Sequence, residues 1–233
     1  DGQAVRVMRI DADSTKLKGA LEAQLAGVHS GEVDVLVGTQ MIAKGHDFRR
    51  VGLVAALDTD GALFSSDFRA PERLFALLMQ AAGRAGRDAR LGQGQRCEMW
   101  VQTFHPEHPL FEALKRHDYP AFAEQQLRER AEAALPPFSF QALVRAEARS
   151  QDAAQDFLVA ARDLGLEDAT ALGLTLYPPV PTPIQRVANI ERAQMLIEGT
   201  SRKALQHFLA QWHDSVIGLR RRHKGVLRWA IDV

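Results

Sequence analysis

Two short apolar runs near the start of the chain constrain its fold more than any other feature. Residues 33–37 and 51–57 are almost uninterrupted by polar side chains. Such runs are typical of strands buried in a parallel sheet with helices on both faces. Residues 5–10 and 97–104 also have strand-like composition, and segments of helical spacing lie between the runs. The sequence therefore predicts an α/β unit with a mainly parallel sheet and right-handed connections.

The segment at 80–87 reads Gln-Ala-Ala-Gly-Arg-Ala-Gly-Arg and follows a helix predicted to begin at Pro71. If that helix continues at about 100° per residue, Gln80, Arg84 and Arg87 share one stripe. A guanidinium matches phosphate oxygens and stabilises charge on a transferred phosphoryl group. The segment is therefore a candidate polyphosphate site, and a solvated helix end is the alternative interpretation.

A second candidate site follows the run at 33–37, at the strand end where open α/β sheets place ligands. Residues 37–48 read Val-Gly-Thr-Gln-Met-Ile-Ala-Lys-Gly-His-Asp-Phe. Thr39 can offer a hydroxyl and a backbone N–H to a phosphate, Gly45 permits an unusual turn, and Asp47 can accept hydrogen bonds from a sugar hydroxyl. A plain connection between a strand and a helix is the alternative.

Composition narrows the class of protein further. The 233 residues are 46% hydrophobic, and Lys plus Arg equals Asp plus Glu at 29 each, so any nucleic-acid contact must come from local patches. The single cysteine, Cys97, excludes a disulfide framework within the chain and favours a reducing compartment. No apolar run approaches the roughly 20 residues that span a bilayer, so we expect no membrane partner.

The second half has a different pattern, which predicts a second domain. A helix predicted at 119–134 is stopped by the Leu-Pro-Pro-Phe sequence at 135–138. We therefore expect a first domain over 1–134, a linker over 135–140 and a second domain over 141–233. The predicted elements of the second domain are strands at 141–148, 193–198 and 226–233, helices at 152–164 and 201–219, and an extended segment that includes 178–183. This βαββαβ order predicts a small α+β sheet with two helices on one face.

Basic residues cluster toward the end of the chain. They are Arg220, Arg221, Arg222, Lys224 and Arg228, with Trp229 alongside, and Arg186 and Arg192 lie in the segment between strands. A basic patch near an aromatic side chain can follow phosphates, with an affinity that falls steeply as salt rises. Alternatively, cations at a helix end interact favourably with the helix dipole and need no ligand.

His105, Glu107 and His108 raise the question of a metal site. A histidine pair with a carboxylate could bind zinc. The prolines between them, directly after a predicted strand, instead favour a turn that leads into a helix at Leu110.

Taken together, the loop at 37–48 and the segment at 80–87 resemble motifs V and VI of superfamily-two helicases. Three flanking sequences sharpen the resemblance: Asp-Thr-Asp-Gly at 58–61, Asp-Phe-Arg-Ala-Pro-Glu-Arg at 67–73 and His-Pro-Glu-His-Pro-Leu at 105–110. They are similar to the PriA family of primosomal replication-restart DNA helicases, from about Arg9 through the proline linker and more weakly to the end. The resemblance implies a second RecA-like lobe followed by a C-terminal domain that resembles a ribosomal small-subunit protein.

The resemblance also implies roles for individual residues. Arg87 would be the arginine finger that reaches the ATP γ-phosphate, and Arg84 would also reach the phosphates. The other implied site residues are Gln80, which would position the attacking water or couple the site to DNA, Gly45 and Asp47 near the nucleotide, and Thr39 and Lys44 near the DNA backbone. The C-terminal basic residues would contact branched DNA or the acidic tail of single-stranded DNA-binding protein. Where relatives alternate arginine with aromatic residues, this chain has Asn-Ile-Glu-Arg-Ala-Gln at 189–194, which favours a protein partner over base stacking at that strand.

For the whole protein, the resemblance implies an ATP-dependent 3′ to 5′ DNA helicase that recognises stalled or branched forks and initiates primosome assembly in the bacterial cytoplasm, at the nucleoid. ATP and magnesium would be held mainly by the first lobe, and zinc by a cysteine-rich module that this chain lacks. No Gly-x-x-x-x-Gly-Lys-[Ser/Thr] loop and no Asp-Glu-x-His box occur in the sequence, so we expect the chain alone not to hydrolyse ATP. The alternative is a non-catalytic scaffold that binds forks and recruits other primosome proteins.

Overall fold

The structure, a computed structural model, describes residues 4–10, 26–28, 30–39, 51–83 and 98–233. The chain divides into two compact units, residues 1–125 and 126–233. The domain limits predicted around the 135–140 linker stay a prediction.

In its described residues, the N-terminal unit has four short strands, each of which overlaps one of the predicted strand segments. They are β1 (Val7–Ile10), β2 (Val35–Gly38), β3 (Leu53–Ala56) and β4 (Glu98–Val101). β1 pairs with β2 and β3 pairs with β4, both in parallel, as the sequence predicted. The predicted strand burial is wrong in part, since Val35, Val37 and Leu53 are exposed. Successive side chains point to opposite faces of a strand, and in the described residues of β3 and β4 one face is covered.

Helices supply the cover on that face. They are α1 (Asp60–Leu63), α2 (Ala70–Ala82) and α3 (Pro109–Lys115), and they are followed by α4 (Tyr119–Glu132). The buried cluster contains Leu74, Phe75, Leu78, Leu110, Phe111 and Phe122, with Ala56, Met99 and Val101 of the strands packed against it. The rings of Phe75 and Phe122 stack with centroids 4.1 Å apart. This cluster fixes α2 against β3 and β4.

The C-terminal unit is a five-stranded antiparallel sheet with two long helices. Its elements are β5 (Phe140–Ala148), α5 (Gln151–Ala171), β6 (Leu174–Leu176), β7 (Val180–Val187), β8 (Ile190–Gly199), α6 (Arg202–Arg222) and β9 (Val226–Asp232). The strand order is β6-β8-β5-β9, and β7 also pairs with β8.

The predicted βαββαβ order is wrong by one strand, because three strands separate the two helices. The extended segment after α5 forms both β6 and β7, which pair with different parts of β8. β6 has only three residues, too few to show a periodic pattern. β7 contains prolines, which cannot donate ladder hydrogen bonds and are usually confined to edge strands.

The core of this unit lies between one face of the sheet and the helices. Alternate residues of β5 and β8, such as Val144, Met195 and Ile197, are fully buried against Phe157 and Phe208 of the helices. The intervening residues of the same strands, which face away from this core, are mainly polar or charged. No helix in the described part of the chain is long and apolar enough to cross a membrane.

Candidate functional site

Helix α2 leads directly into the glycine-arginine segment, and its start is fixed by local contacts. Asp67 accepts a hydrogen bond from the Arg69 backbone N–H at 2.9 Å and forms an ion pair with Arg73. Pro71 occupies the first turn, as predicted. These contacts hold the pKa of Asp67 below its ordinary value despite partial desolvation, so the carboxylate stays charged at the positive end of the helix.

The orientation of α2 determines what its last turn presents. Leu74, Phe75 and Leu78 are buried at 4%, 2% and 1% exposure, whereas Gln80 is exposed. The structure thus places Gln80 outside the packed face, and Gly83 caps the helix. Arg84 and Arg87 lie outside the described residues, so their position in the stripe stays a prediction.

The second predicted site, residues 37–48, is described only at its first three residues. Thr39 follows β2 directly and is exposed. β2 is held in register with β1, where Gly38 lies opposite Ile10, and Ile10 is 1% exposed. Lys44, Gly45 and Asp47 lie outside the described residues. Of the predicted nucleotide and DNA contacts in the N-terminal unit, Thr39 and Gln80 are therefore the two whose position is described.

The opposite end of the β1–β2 pair is closed by a charged contact. The Arg6 guanidinium donates to both carboxylate oxygens of Asp34, at 2.8 and 3.0 Å, and to the Gly31 carbonyl at 2.9 Å. The Arg6 side-chain and backbone donors lower the pKa of Asp34 to about 2. This contact fixes the start of β2, whose other end carries Thr39.

The carboxyl ends of β3 and β4 are joined by polar contacts that the sequence did not reveal. Asp60 accepts hydrogen bonds from the Phe104 backbone N–H at 2.8 Å and from the Thr103 hydroxyl, and these donors lower its pKa. Thr59, which is 4% exposed, donates to the Gln102 carbonyl at 2.9 Å. The Asp-Thr-Asp-Gly sequence at 58–61 was the one available signal, but its partners lie more than 40 residues away in sequence.

The His-Pro-Glu-His-Pro-Leu sequence forms the predicted turn before α3. His108 is the N-cap residue, and its Nδ1 accepts a hydrogen bond from the Leu110 backbone N–H at 3.2 Å. Within the described ranges, no group of three or more His, Cys, Asp and Glu side chains is placed to hold a metal ion.

The predicted basic residues of the C-terminal unit fall into two groups. At the end of α6, Arg221, Arg222 and Lys224 are exposed. Arg220 is partly buried and donates to the carbonyls of His223 and Leu227 at 3.4 and 3.5 Å, so it closes the connection to β9. The exposed group is therefore the part of this predicted patch that is available to a ligand.

The basic residues on the strands are paired with carboxylates. Arg192 and Arg228 both contact Oε1 of Glu147, at 3.2 and 3.1 Å, and Arg186 contacts Glu191 at 3.4 Å. Sequence reasoning missed Glu147, because it lies 81 residues from Arg228 and becomes its neighbour only through the pairing of β5 with β9. The role of Arg186 and Arg228 as DNA contacts stays a prediction.

Trp229 does not lie alongside Arg228 as predicted. Adjacent residues of a strand point to opposite faces. Trp229 packs on the helix side, with its ring centroid 5.3 Å from that of His213 and 6.4 Å from that of Phe157. Arg228 faces away from the helices, toward Glu147. The two side chains therefore cannot form one aromatic and basic patch.

Comparison with known proteins gives matches over both units. Residues 3–89 match the family described as helicase conserved C-terminal domain, and residues 131–233 match the family described as primosomal protein N C-terminal domain. The replication restart protein PriA of Haemophilus influenzae is 44% identical over 209 residues, which cover 90% of this chain and 28% of that protein. The corresponding protein of Bacillus subtilis is 36% identical, with 84% of this chain and 24% of that protein covered. The chain thus spans between a fifth and a third of the length of these relatives.

Proposed function

The chain belongs to the PriA family of replication restart proteins, and from this premise we propose that it supplies the second motor lobe and the C-terminal domain of an ATP-dependent 3′ to 5′ DNA helicase. The N-terminal unit would be a RecA-like lobe that closes on ATP and magnesium held by a first lobe. The complete protein would reopen stalled replication forks and start primosome assembly at the bacterial nucleoid.

One observation carries this proposal. α2 buries one face and presents Gln80 on the other, immediately before Gly83 and the two arginines, within the stretch that matches the helicase C-terminal domain. If the helical repeat continued past Gly83, residues four and seven positions after Gln80 would share its exposed face. Arg84 and Arg87 would then meet phosphates bound by another lobe, where an arginine finger can act on the γ-phosphate.

The C-terminal unit would bind forked DNA or the acidic tail of single-stranded DNA-binding protein through its exposed basic group. Arg221, Arg222 and Lys224 support this proposal by their exposure. We further propose that the chain by itself does not hydrolyse ATP, because the phosphate loop and the magnesium-binding acidic box are absent from its sequence.

The proposal is tested by replacing Arg87 with alanine in the complete protein. We expect DNA-stimulated phosphate release to fall on the order of 10³-fold to 10⁵-fold, with binding of forked DNA nearly unchanged. Arg116→Ala is a matched control, since Arg116 is an exposed arginine elsewhere in the same unit. Retained unwinding by the Arg87→Ala protein would exclude the arginine-finger role.

A further inference from the structure

Two phenylalanine rings lie exposed beside the carboxyl ends of β3 and β4. Phe64, the C-cap residue of α1, keeps 59% of its surface exposed, and Phe104, three residues after β4, keeps 90% exposed. A phenylalanine buries about 150–250 Å² when it packs, so this exposure leaves a large apolar area in water. Single exposed apolar residues are common on protein surfaces, but these two are held in place by specific contacts.

The backbone that carries Phe104 is fixed rather than free. The Asp60 carboxylate accepts a hydrogen bond from the Phe104 N–H, and the His105 N–H donates to the Thr103 hydroxyl oxygen at 3.0 Å. Thr103 in turn donates to Asp60, so one carboxylate anchors the whole segment to α1. An aromatic side chain on an anchored backbone loses little conformational entropy on binding, which favours its use as a contact.

Phe64 is oriented by two imidazole rings. Its centroid lies 4.6 Å from that of His105 at an interplanar angle of 69°, and 6.3 Å from that of His108 at 87°. Edge-to-face contacts of this kind fix the tilt of a ring. His108 is itself held as the N-cap of α3. The ring of Phe64 is therefore held in one orientation while more than half of its surface stays open.

We propose that Phe64 and Phe104 form a stacking platform for the bases of single-stranded DNA. This inference rests on the proposed helicase function, which makes single-stranded DNA the substrate class. Aromatic rings hold bases by stacking without regard to sequence, because every base has a π face. The polar groups around the rings, Asp60 and Thr103, are occupied by internal hydrogen bonds. Exposed rings beside hydrogen-bonded polar groups suit planar bases better than they suit the continuous apolar centre of a protein interface.

The platform is tested by Phe64→Ala and Phe104→Ala in the 233-residue chain. The measurement is fluorescence anisotropy with a labelled oligothymidylate of about 20 nucleotides, longer than the site of one binding module. Stacking is worth about 1–3 kcal/mol per base, so each variant should raise Kd by about 5-fold to 150-fold. The slope of log Kd against log salt should stay constant, because no phosphate contact is removed. Phe138→Ala, at a half-exposed phenylalanine of the other unit, is the matched control and should leave Kd unchanged.

Conservative variants separate stacking from simple apolar contact. Phe104→Trp should retain the affinity of the original chain, whereas Phe104→Leu should lose it, because leucine is apolar but has no π face. Equal binding by the leucine variant would overturn the proposal in favour of an apolar docking surface, and so would an unchanged Kd in both alanine variants. If the unsubstituted chain does not bind the oligonucleotide, its proposed DNA-binding role fails and the platform fails with it. Loss of ATP turnover in the Arg87→Ala protein would be unaffected by any of these results.

Discussion

At the residue scale, one helical glycine determines how closely α5 and α6 approach. A Cβ atom at Gly165 would lie 2.6 Å from Cδ1 and Nε1 of Trp212 and 2.9 Å from Cζ of Phe208. Movement of Trp212 would break a buried hydrogen bond, because its Nε1 donates to the Ala161 carbonyl at 2.9 Å. Glycine inside a helix costs about 0.5–1 kcal/mol. Here that cost is offset by the contact between the two helices.

Gly165→Ala should therefore destabilise the C-terminal unit. Overpacking of a filled core costs about 1–3 kcal/mol, and we expect a loss of that size in the free energy of unfolding. Gly218→Ala is the control, because a Cβ there meets nothing within 4 Å and alanine favours the helix. Differential scanning calorimetry should show a lower midpoint for Gly165→Ala and an equal or higher one for Gly218→Ala. The reverse order would contradict the packing described.

The Arg6–Asp34 contact predicts a pH dependence at the start of β2. The pKa of Asp34 is about 2 in the folded chain, below the value of about 3.9 for a free aspartate. The carboxylate thus favours the folded state above about pH 4, and this contribution is lost as the pH falls through the folded value. An NMR titration of the Asp34 carboxyl carbon should give a midpoint near the folded value. In the Arg6→Gln variant, the Asp34 midpoint should rise toward the pKa of a free aspartate. An unchanged midpoint would show that the Arg6 side chain does not lower the pKa of Asp34.

At the element scale, pairing of the strands neutralises the sheet face that the helices leave uncovered. Glu147 of β5 lies opposite Arg192 of β8 on one side and Arg228 of β9 on the other. Arg145 pairs with Asp232 at 3.0 Å on the same face. Each of these three arginines therefore contacts a carboxylate before any ligand arrives, with Arg192 and Arg228 sharing Glu147. Of the predicted basic residues, Arg221, Arg222 and Lys224 at the end of α6 are therefore more accessible to a ligand than the arginines on the strands.

Glu147→Gln should change DNA binding by releasing Arg192 and Arg228. If the released guanidiniums reach phosphates, each new contact steepens the slope of log K against log salt by about 0.9. We therefore expect tighter binding of forked DNA at low salt and a steeper salt dependence, both measured by fluorescence anisotropy. Glu167→Gln removes the same charge from an exposed position on α5 and is the control. Identical slopes for the two variants would mean that this face does not contact phosphates.

At the scale of the whole molecule, the two compact units have separate cores. The C-terminal core joins residues from Phe140 to Ile231, and the N-terminal helical core joins residues from Ala56 to Phe122. A domain with its own continuous core can fold alone. Because the chain divides between residues 125 and 126, the C-terminal unit should be stable without the N-terminal unit.

Residues 126–233, produced alone, should fold and unfold as one cooperative unit. We expect the calorimetric enthalpy of unfolding to agree with the van't Hoff enthalpy, as for single domains of this size. Far-UV circular dichroism should show the helical signal expected from α5 and α6. A broad transition without a defined midpoint would show that the unit depends on the rest of the chain.

Much of the fold follows from interactions between residues close in sequence. The apolar and strand-like runs predicted the four described strands of the N-terminal unit, and Pro71 predicted the first turn of α2. Ser201 was predicted to start α6, and it accepts a hydrogen bond from the Ala204 N–H at 3.2 Å. Caps, turns and helical faces are set within a few residues, so a sequence contains their full specification.

The sequence by itself determined the family and most of the element types, and it supplied the residues proposed for phosphate contact. Tertiary structure alone decided that β6 and β7 both pair with β8, that Glu147 binds two distant arginines, and that Trp229 lies on the helix side. It also brought the Asp60 carboxylate within hydrogen-bond distance of the Phe104 backbone N–H. The physical reason is that these contacts join residues far apart in the chain, and their formation depends on strand register and packing, which no local pattern specifies.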